Sequence, residues 1–380
     1  MNYAAPWWLP GGNLQTIWAA LKARRFDGKA PQFHRERWTT PDSDFIDVDF
    51  LKEVAPTLVA SRTALPPEGA NFPRGGPAEN GAPTLVASRT ALPPEGANFP
   101  RGGPAENGAP TLPTAPTKPL LVLFHGLEGS SNSHYAQAFA EFAAKRGMAF
   151  CVPHFRGCSG ELNLAPRAYH SGDFEEIGWI LKRLRQQHTG PIVAAGVSLG
   201  GNALLRWAEE EGDEASKTVS AVASVCSPVD LTASGIAIGQ GFNRLVYTRM
   251  FINSMRPKAM LKLAQHPGLF DGDALSRASD LYAFDNIFTA PLHGFKNTDD
   301  YWARGSAKPH LHRIRIPALV VNALNDPFVP KASLPLPHQV GRHVTLWQPA
   351  QGGHVGFPEG RFPAHVLAMP NLVGGWLLGQ

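Results

Sequence analysis

Ile192-Val193-Ala194-Ala195-Gly196-Val197-Ser198-Leu199-Gly200-Gly201-Asn202-Ala203-Leu204-Leu205-Arg206-Trp207 is the stretch whose reading decides the fold class. Its first six residues are apolar on both faces, as a strand inside a parallel sheet must be when helices cover both sides. From Leu199 the apolar positions Leu199, Ala203, Leu204 and Trp207 recur at helical spacing, and Gly212 supplies a stop. Between the two elements stands Gly-x-Ser-x-Gly, whose glycines permit the tight strand-to-helix turn that lifts a serine hydroxyl to the top of a sheet. That tripartite setting, more than the five-residue motif itself, makes Ser198 a candidate nucleophile rather than an ordinary helix-capping serine.

Outward from this elbow the same alternation continues. Doubly apolar runs occur at Leu120–Phe124, Ala149–Val152, Val219–Val225, Ala318–Ala323 and Val344–Trp347. Helical patterns separate them at Tyr135–Arg146 and Phe174–Gln187, with Ser171 and Asp173 offering an N-cap for the second. Right-handed crossovers between such elements give an α/β fold with a mostly parallel, doubly wound sheet. Earlier, Ile46, Val48 and Phe50 alternate with Asp47 and Asp49, which predicts an antiparallel edge strand with one wet face. From about residue 228 to 312 the strand signal disappears. Phe242, Leu245, Val246, Met250 and Phe251 recur there at helix-compatible spacing, so a helical cap is expected above the carboxyl ends of the strands, where open α/β sheets bind ligands. Read position by position, the same residues are better taken as core padding.

A serine hydroxyl becomes a nucleophile at neutral pH only when an imidazole takes its proton and a carboxylate holds the imidazole in one tautomer. In a sheet of this kind acid and histidine follow the serine, each in a loop after a strand. Asp326, in Asn322-Ala323-Leu324-Asn325-Asp326-Pro327, is the candidate acid, and Asp230, after the preceding strand, competes with it. His354, in Gly352-Gly353-His354-Val355-Gly356, alone among 14 histidines combines that order with a late glycine-flanked loop. An oxyanion formed at the serine needs hydrogen-bond donors. The backbone N–H groups of Leu199, after the elbow, and of Leu127, in His125-Gly126-Leu127-Glu128-Gly129, are the candidates, although that glycine pair also suits a plain tight turn.

Between the first strand and the elbow region the chain carries a duplication. Residues 55–81 read APTLVASRTALPPEGANFPRGGPAENG, and residues 82–108 repeat them unchanged. Two copies are too few for a solenoid. A composition of about one-third Pro plus Gly marks a disordered insertion over 55–112, with a Pro-rich docking site as the alternative. The expected pieces are therefore 1–54, an N-terminal segment with the edge strand, and 113–380, the main domain with its cap.

Across the 380 residues, 35 Lys and Arg against 31 Asp and Glu give a formal charge of +4 without a dense basic run, so nucleic acid is not an expected partner. The start lacks a secretory pattern, and no stretch of about 18 uncharged apolar residues predicts a spanning helix. Three cysteines without metal-ligand spacing suit a reducing cytoplasm. No basic amphipathic helix demands a lipid surface, and weak surface association stays open.

Several phrases together resemble the YheT-like branch of the α/β-hydrolases, related to eukaryotic α/β-hydrolase-domain lipases. They are Gly12-Asn13-Leu14-Gln15-Thr16-Ile17-Trp18, the loop 125–130, Phe155-Arg156-Gly157-Cys158-Ser159-Gly160-Glu161, Arg167-Ala168-Tyr169-His170-Ser171-Gly172-Asp173, the elbow to Asn202, Ala290-Pro291-Leu292-His293-Gly294-Phe295, and the loops of Asp326 and His354. The resemblance implies the α/β-hydrolase fold, esterase or lipase-type activity on acyl esters, no metal or organic cofactor, and a triad on Ser198, Asp326 and His354. It gives the Arg156 loop and Tyr169-His170 no role beyond positioning. The chain departs from the branch in its duplicated segment and in lacking the amino-terminal membrane anchor of eukaryotic relatives.

Residues and resemblance together predict a serine hydrolase that cleaves small-molecule acyl esters, of short to medium chain, through an acyl-enzyme. Acyl transfer to an alcohol or thiol, and a non-catalytic ligand-binding protein on the same scaffold, remain the alternatives.

Overall fold

Short apolar runs buried on both faces build the middle of the sheet, and helices that each bury one face cover it. The computed structural model describes residues 2–52 and 117–380. The duplicated segment, and with it the expected insertion over 55–112, lies outside the described residues.

The chain opens with helix α1 (Gly12–Leu21) and strands β1 (Phe33–Thr39) and β2 (Phe45–Leu51). It continues through β3 (Leu120–Phe124), α2 (His134–Lys145), β4 (Ala149–Pro153), α3 (Phe174–Gln187), β5 (Ile192–Val197), α4 (Leu199–Glu211) and β6 (Ala221–Val225). A helical insertion follows, with α5 (Leu231–Ile238), α6 (Gly241–Asn243), α7 (Arg249–Gln265), α8 (Gly272–Arg277), α9 (Leu281–Phe284), α10 (Ala290–Leu292) and α11 (Thr298–Gly305). Strands β7 (Ala318–Val321) and β8 (Val344–Trp347) and helix α12 (Ala368–Leu378) complete it. The eight strands lie in the order β1-β2-β4-β3-β5-β6-β7-β8, antiparallel from β1 through β4 and parallel thereafter. This is the α/β-hydrolase fold, a mostly parallel doubly wound sheet with a helical cap inserted between β6 and β7.

One face of the sheet packs on α3 and α4 through Ile177, Ile180, Leu204 and Trp207. The other packs on α2 and α12 through Phe139, Phe142, Val373 and Leu377. Fully burying side chains of this size contributes roughly 1.5–3 kcal/mol each relative to exposure, which makes these two layers the main source of stability.

The amino-terminal strands differ from expectation. β2 is the second strand, not the edge, because β1 (Phe-His-Arg-Glu-Arg-Trp-Thr) pairs along its whole length. Nor are its aspartates wet: Asp47 and Asp49 are 1% and 4% exposed. Arg37 grips Asp47 through Nε and Nη2 at 2.8 and 2.9 Å, and Arg35 grips Asp49 in the same way at 2.7 and 2.9 Å. Bidentate pairing is what lets a carboxylate leave water. The N-cap of α3 is also different, since the Asp173 side chain makes no capping bond and instead accepts from Arg167 Nη2 at 2.6 Å.

Candidate active site

Ser198 stands between β5 and α4 with φ 53° and ψ −120°, in a backbone region that costs a non-glycine residue about 1–3 kcal/mol. The turn is tight enough that a Cβ on Gly200 would lie 2.4 Å from the carbonyl oxygen of His125, so only glycine fits where α4 passes under the β3 loop. The elbow oxygen is thereby presented to the late loop. His354 Nε2 lies 3.0 Å from Ser198 Oγ, and His354 Nδ1 lies 2.9 Å from Asp326 Oδ2. A carboxylate only accepts, so Nδ1 carries the proton and the Nε2 lone pair faces the serine hydroxyl.

Asp326 is itself fixed. Its Oδ1 accepts from the backbone N–H groups of Phe328 and Val329 at 2.8 and 3.3 Å, and the Phe328 ring packs 4.1 Å from the imidazole, centroid to centroid. Asp230 sits elsewhere: it caps α5 by accepting from Ala233 N at 3.0 Å and lies 3.8 Å from Lys308. The structure therefore brings Asp326, and not Asp230, to the imidazole.

The loop that carries one candidate donor lies against the elbow that carries the other. A Cβ on Gly126 would be 3.2 Å from Ser198 Cβ, so the loop carrying Leu127 lies directly over the elbow. Among the described residues, neither the Leu127 nor the Leu199 N–H has a hydrogen-bond acceptor. His125 holds this loop from below. Its Nε2 accepts from Phe155 N at 3.0 Å, which leaves Nδ1–H to donate to Gly126 O at 2.8 Å, and burial pushes the ring's pKa down to about 3.

Glu128, with φ 57°, ties the same loop to the cap. Its carboxylate accepts from Tyr169 Oη at 2.9 Å and from Ser254 Oγ, and pairs with Lys258 Nζ at 2.8 Å. Ser254 and Lys258 both belong to α7. Arg156 does a different job: it binds Asp42, Asp44 and Glu176, joining the turn between β1 and β2 to α3. His170 packs against His293, Phe295 and Tyr301, which accounts for the phrase around His293 as packing. Asn202 links the elbow helix to both regions, donating to Ser171 O and Gly305 O at 2.7 Å each.

Sequence reasoning missed the part played by α1. Gln15 is fully buried, and its Oε1 accepts from Asn325 Nδ2 and from Gly352 N, each at 2.9 Å. Thr16 Oγ1 accepts from His354 N at 2.8 Å. A Cβ on Gly12 would fall 1.8 Å from Asn325 O, so the helix begins in contact with the Asp326 loop. The available signal was the adjacent polar pair Gln15 and Thr16 in a helix whose only other polar side chain is Asn13.

Above Ser198 a cavity opens between sheet and cap, walled by Ile238, Phe251, Met255, Phe284, Phe288 and Phe328. Of the apolar cap residues singled out from the sequence, Phe251 alone reaches it. Phe242, Leu245 and Met250 are 50%, 73% and 54% exposed, contrary to the expectation of core or site. They lie on the outer side of the helical run, whose inner side is formed by Tyr247, Phe251, Ile252 and Met255. Among the described residues no His, Cys, Asp or Glu cluster is arranged to hold a metal ion, and no helix is long and apolar enough to cross a membrane.

The α/β hydrolase fold family matches residues 119–361. YheT of Escherichia coli (strain K12) is 39% identical over 266 residues, covering 69% of this chain and 77% of YheT. Phospholipase ABHD3 of Mus musculus is 29% identical over 257 residues, covering 67% of this chain and 62% of the phospholipase. Monoacylglycerol lipase of Saccharomyces cerevisiae is 26% identical over 270 residues, covering 67% of this chain and 58% of the lipase. The chain thus spans less than two thirds of the length of these last two relatives.

Proposed function

The chain belongs to the α/β-hydrolase family and within it to the YheT-like branch, and on that premise we propose that it hydrolyses carboxylic esters with Ser198 as nucleophile, His354 as general base and Asp326 as the orienting acid. The observation that carries this reading is the continuous chain of bonds from Asp326 Oδ2 through the imidazole to Ser198 Oγ, 2.9 and 3.0 Å long. The names phospholipase and monoacylglycerol lipase, borne by two relatives, favour acyl esters as the substrate class.

In the first step His354 Nε2 takes the Ser198 proton as Oγ attacks the ester carbonyl. The unpartnered N–H groups of Leu127 and Leu199 receive the developing oxyanion, each contributing about 3–4 kcal/mol to the transition state. Imidazolium then protonates the leaving alcohol, and an acyl-enzyme remains. Water attacks it with the same imidazole as base, and Ser198 is regenerated. The apolar cavity walls suit a short- to medium-chain acyl group. Cys151, Cys158 and Cys226 are buried and unpaired, which supports a reducing cytoplasm as the setting.

The test is a p-nitrophenyl ester series from acetate to palmitate with the wild-type protein and S198A. Turnover that vanishes in folded S198A and falls beyond medium chain length is the expected result. Equal turnover by S198A defeats the assignment, and no dependence on length defeats the bounded acyl site.

A further inference from the structure

We propose that Phe328 is a positioning residue for the reaction and acts through His354: the face of its ring stabilises the imidazolium formed each time the histidine takes a proton. The proposal rests on the esterase reading above and adds to it a group outside the bond chain of Ser198, His354 and Asp326.

The Phe328 and His354 rings lie 4.1 Å apart, centroid to centroid, with 33° between their planes. Ordinary aromatic pairs prefer roughly 4.5–7 Å, so these two rings overlap face on face in close contact. In the imidazole plane both nitrogens are engaged, Nδ1 with Asp326 and Nε2 with Ser198. The ring face is what remains for a further contact, and His354 is only 9% exposed to water. Phe328 is 8% exposed and borders the same cavity.

The contact is held from several sides. Phe328 N donates to Asp326 Oδ1 at 2.8 Å, so one residue supports the acid through its backbone and the base through its ring. Tyr247, in the π-helical turn Arg244–Thr248 of the cap, meets the Phe328 ring in a T-shaped contact at 4.5 Å. Tyr247 Oη donates to Asn13 Oδ1 at 2.9 Å, which anchors that ring in turn to α1. Phe251 of α7 makes a second T-shaped contact with Phe328 at 6.3 Å.

A neutral imidazole gains only dispersion from a benzene ring stacked on it. An imidazolium gains in addition the attraction of its charge to the negative ring face, which is stronger where water is excluded. The contact therefore favours the charged state, and both chemical steps pass through that state. In acylation the proton comes from Ser198 Oγ and goes on to the leaving alcohol; in deacylation it comes from water and returns to Ser198 Oγ. An interaction gained only after proton transfer raises kcat without tightening substrate binding. Core packing explains a buried apolar side chain at this position, but an aliphatic one would serve it equally well.

The experiment places 4-fluoro-, 3,5-difluoro- and 3,4,5-trifluorophenylalanine at position 328 of the full chain and reads kcat and KM for p-nitrophenyl butyrate, beside wild type and F328L. Fluorine drains negative charge from the ring face with little change in size. The logarithm of kcat is expected to fall in step with the number of fluorines, by about 5- to 30-fold at the trifluoro ring, with KM within about twofold of wild type. F328L should lose a similar share of kcat. Equal kcat across the fluorinated series overturns the proposal and leaves the esterase reading standing, whatever F328L does, because a loss confined to F328L reports packing. A loss carried by KM alone also overturns it, by making Phe328 no more than cavity wall.

Failure of the esterase reading is seen separately, as no turnover of the ester by wild type. The rate of Ser198 labelling by a fluorophosphonate then reads the same proton transfer without an ester. A labelling rate that falls in the same order across the series supports the proposal; a flat rate, or no labelling at all, overturns it.

Discussion

The Thr16 hydroxyl accepts a 2.8 Å hydrogen bond from the backbone N–H of His354, a residue 338 positions away in the chain. Its own proton goes to Gly12 O at 2.7 Å, so the hydroxyl is fully engaged. Together with Gln15, which joins Asn325 to Gly352, it makes α1 the platform on which the loops of Asp326 and His354 rest.

T16V keeps the shape of this contact and removes the acceptor, leaving a buried N–H unpaired. A loss of about 1–3 kcal/mol in stability is expected, together with a roughly tenfold lower kcat/KM as the imidazole loses its register with Ser198. T16S should recover both. Urea titrations and ester kinetics on the three proteins check this, and a T16V protein indistinguishable from wild type would remove α1 from the account.

Asp326 and Asp230 are separated by one pair of substitutions. D326N withdraws the anion that selects the Nδ1–H tautomer, and kcat is expected to fall by about 10³–10⁴. D230N retains a capping side chain at α5 and should stay within about twofold of wild type. A large loss in D230N with little in D326N reverses the assignment of the acid.

Lys258 offsets a negative charge carried one residue beyond the Leu127 N–H. K258M leaves the Glu128 carboxylate without its cation in the cavity that also holds Ser198, and kcat should drop by about 10- to 100-fold. E128Q/K258M removes the charge as well, so most of kcat should return. If the ion pair served only to tether the cap, the double variant would be no better than K258M, and kcat values for the four proteins of the cycle distinguish the two cases.

His125 supplies a pH dependence of known sign. Its folded pKa, about 3, lies below the unfolded value near 6.5. Its stabilising contribution is therefore complete above pH 6.5 and is lost as the pH falls toward 3. H125Q lacks this titration. The stability difference between wild type and H125Q should shrink by about 2 kcal/mol from pH 7 to pH 5. An unchanged difference in urea unfolding at the two pH values would mean that the ring is not held neutral.

Where a residue's environment is set by its own element, the sequence was readable. Parallel strands such as Ile192–Val197 and Ala318–Val321 are buried on both faces and therefore carry an unbroken apolar run, and Ser198 and Asp326 follow them. β8 (Val344–Trp347), which precedes His354, is instead the edge strand and only partly buried, with Thr345 exposed, contrary to the expectation of a doubly buried run. Where the environment comes from a distant partner, it was not. The alternation of Asp47 and Asp49 suggested water because periodicity does not distinguish solvent from Arg37 and Arg35 across the strand pair. β1 escaped notice for the same reason, since its charged residues are the other half of those pairs. The cap was legible as helical, but residues 242–255 are apolar on more than one side, so the inward face of the run was not specified.

The central claim is that Ser198 is made nucleophilic by the imidazole 3.0 Å away. Its most direct measurement is the labelling of the intact protein with a fluorophosphonate, followed by peptide mass mapping, in wild type, S198A and H354A. The account predicts a single adduct on Ser198 in wild type, none in S198A, and labelling slowed by several orders of magnitude in H354A. An unlabelled wild type, or an adduct formed at the same rate without His354, would contradict it.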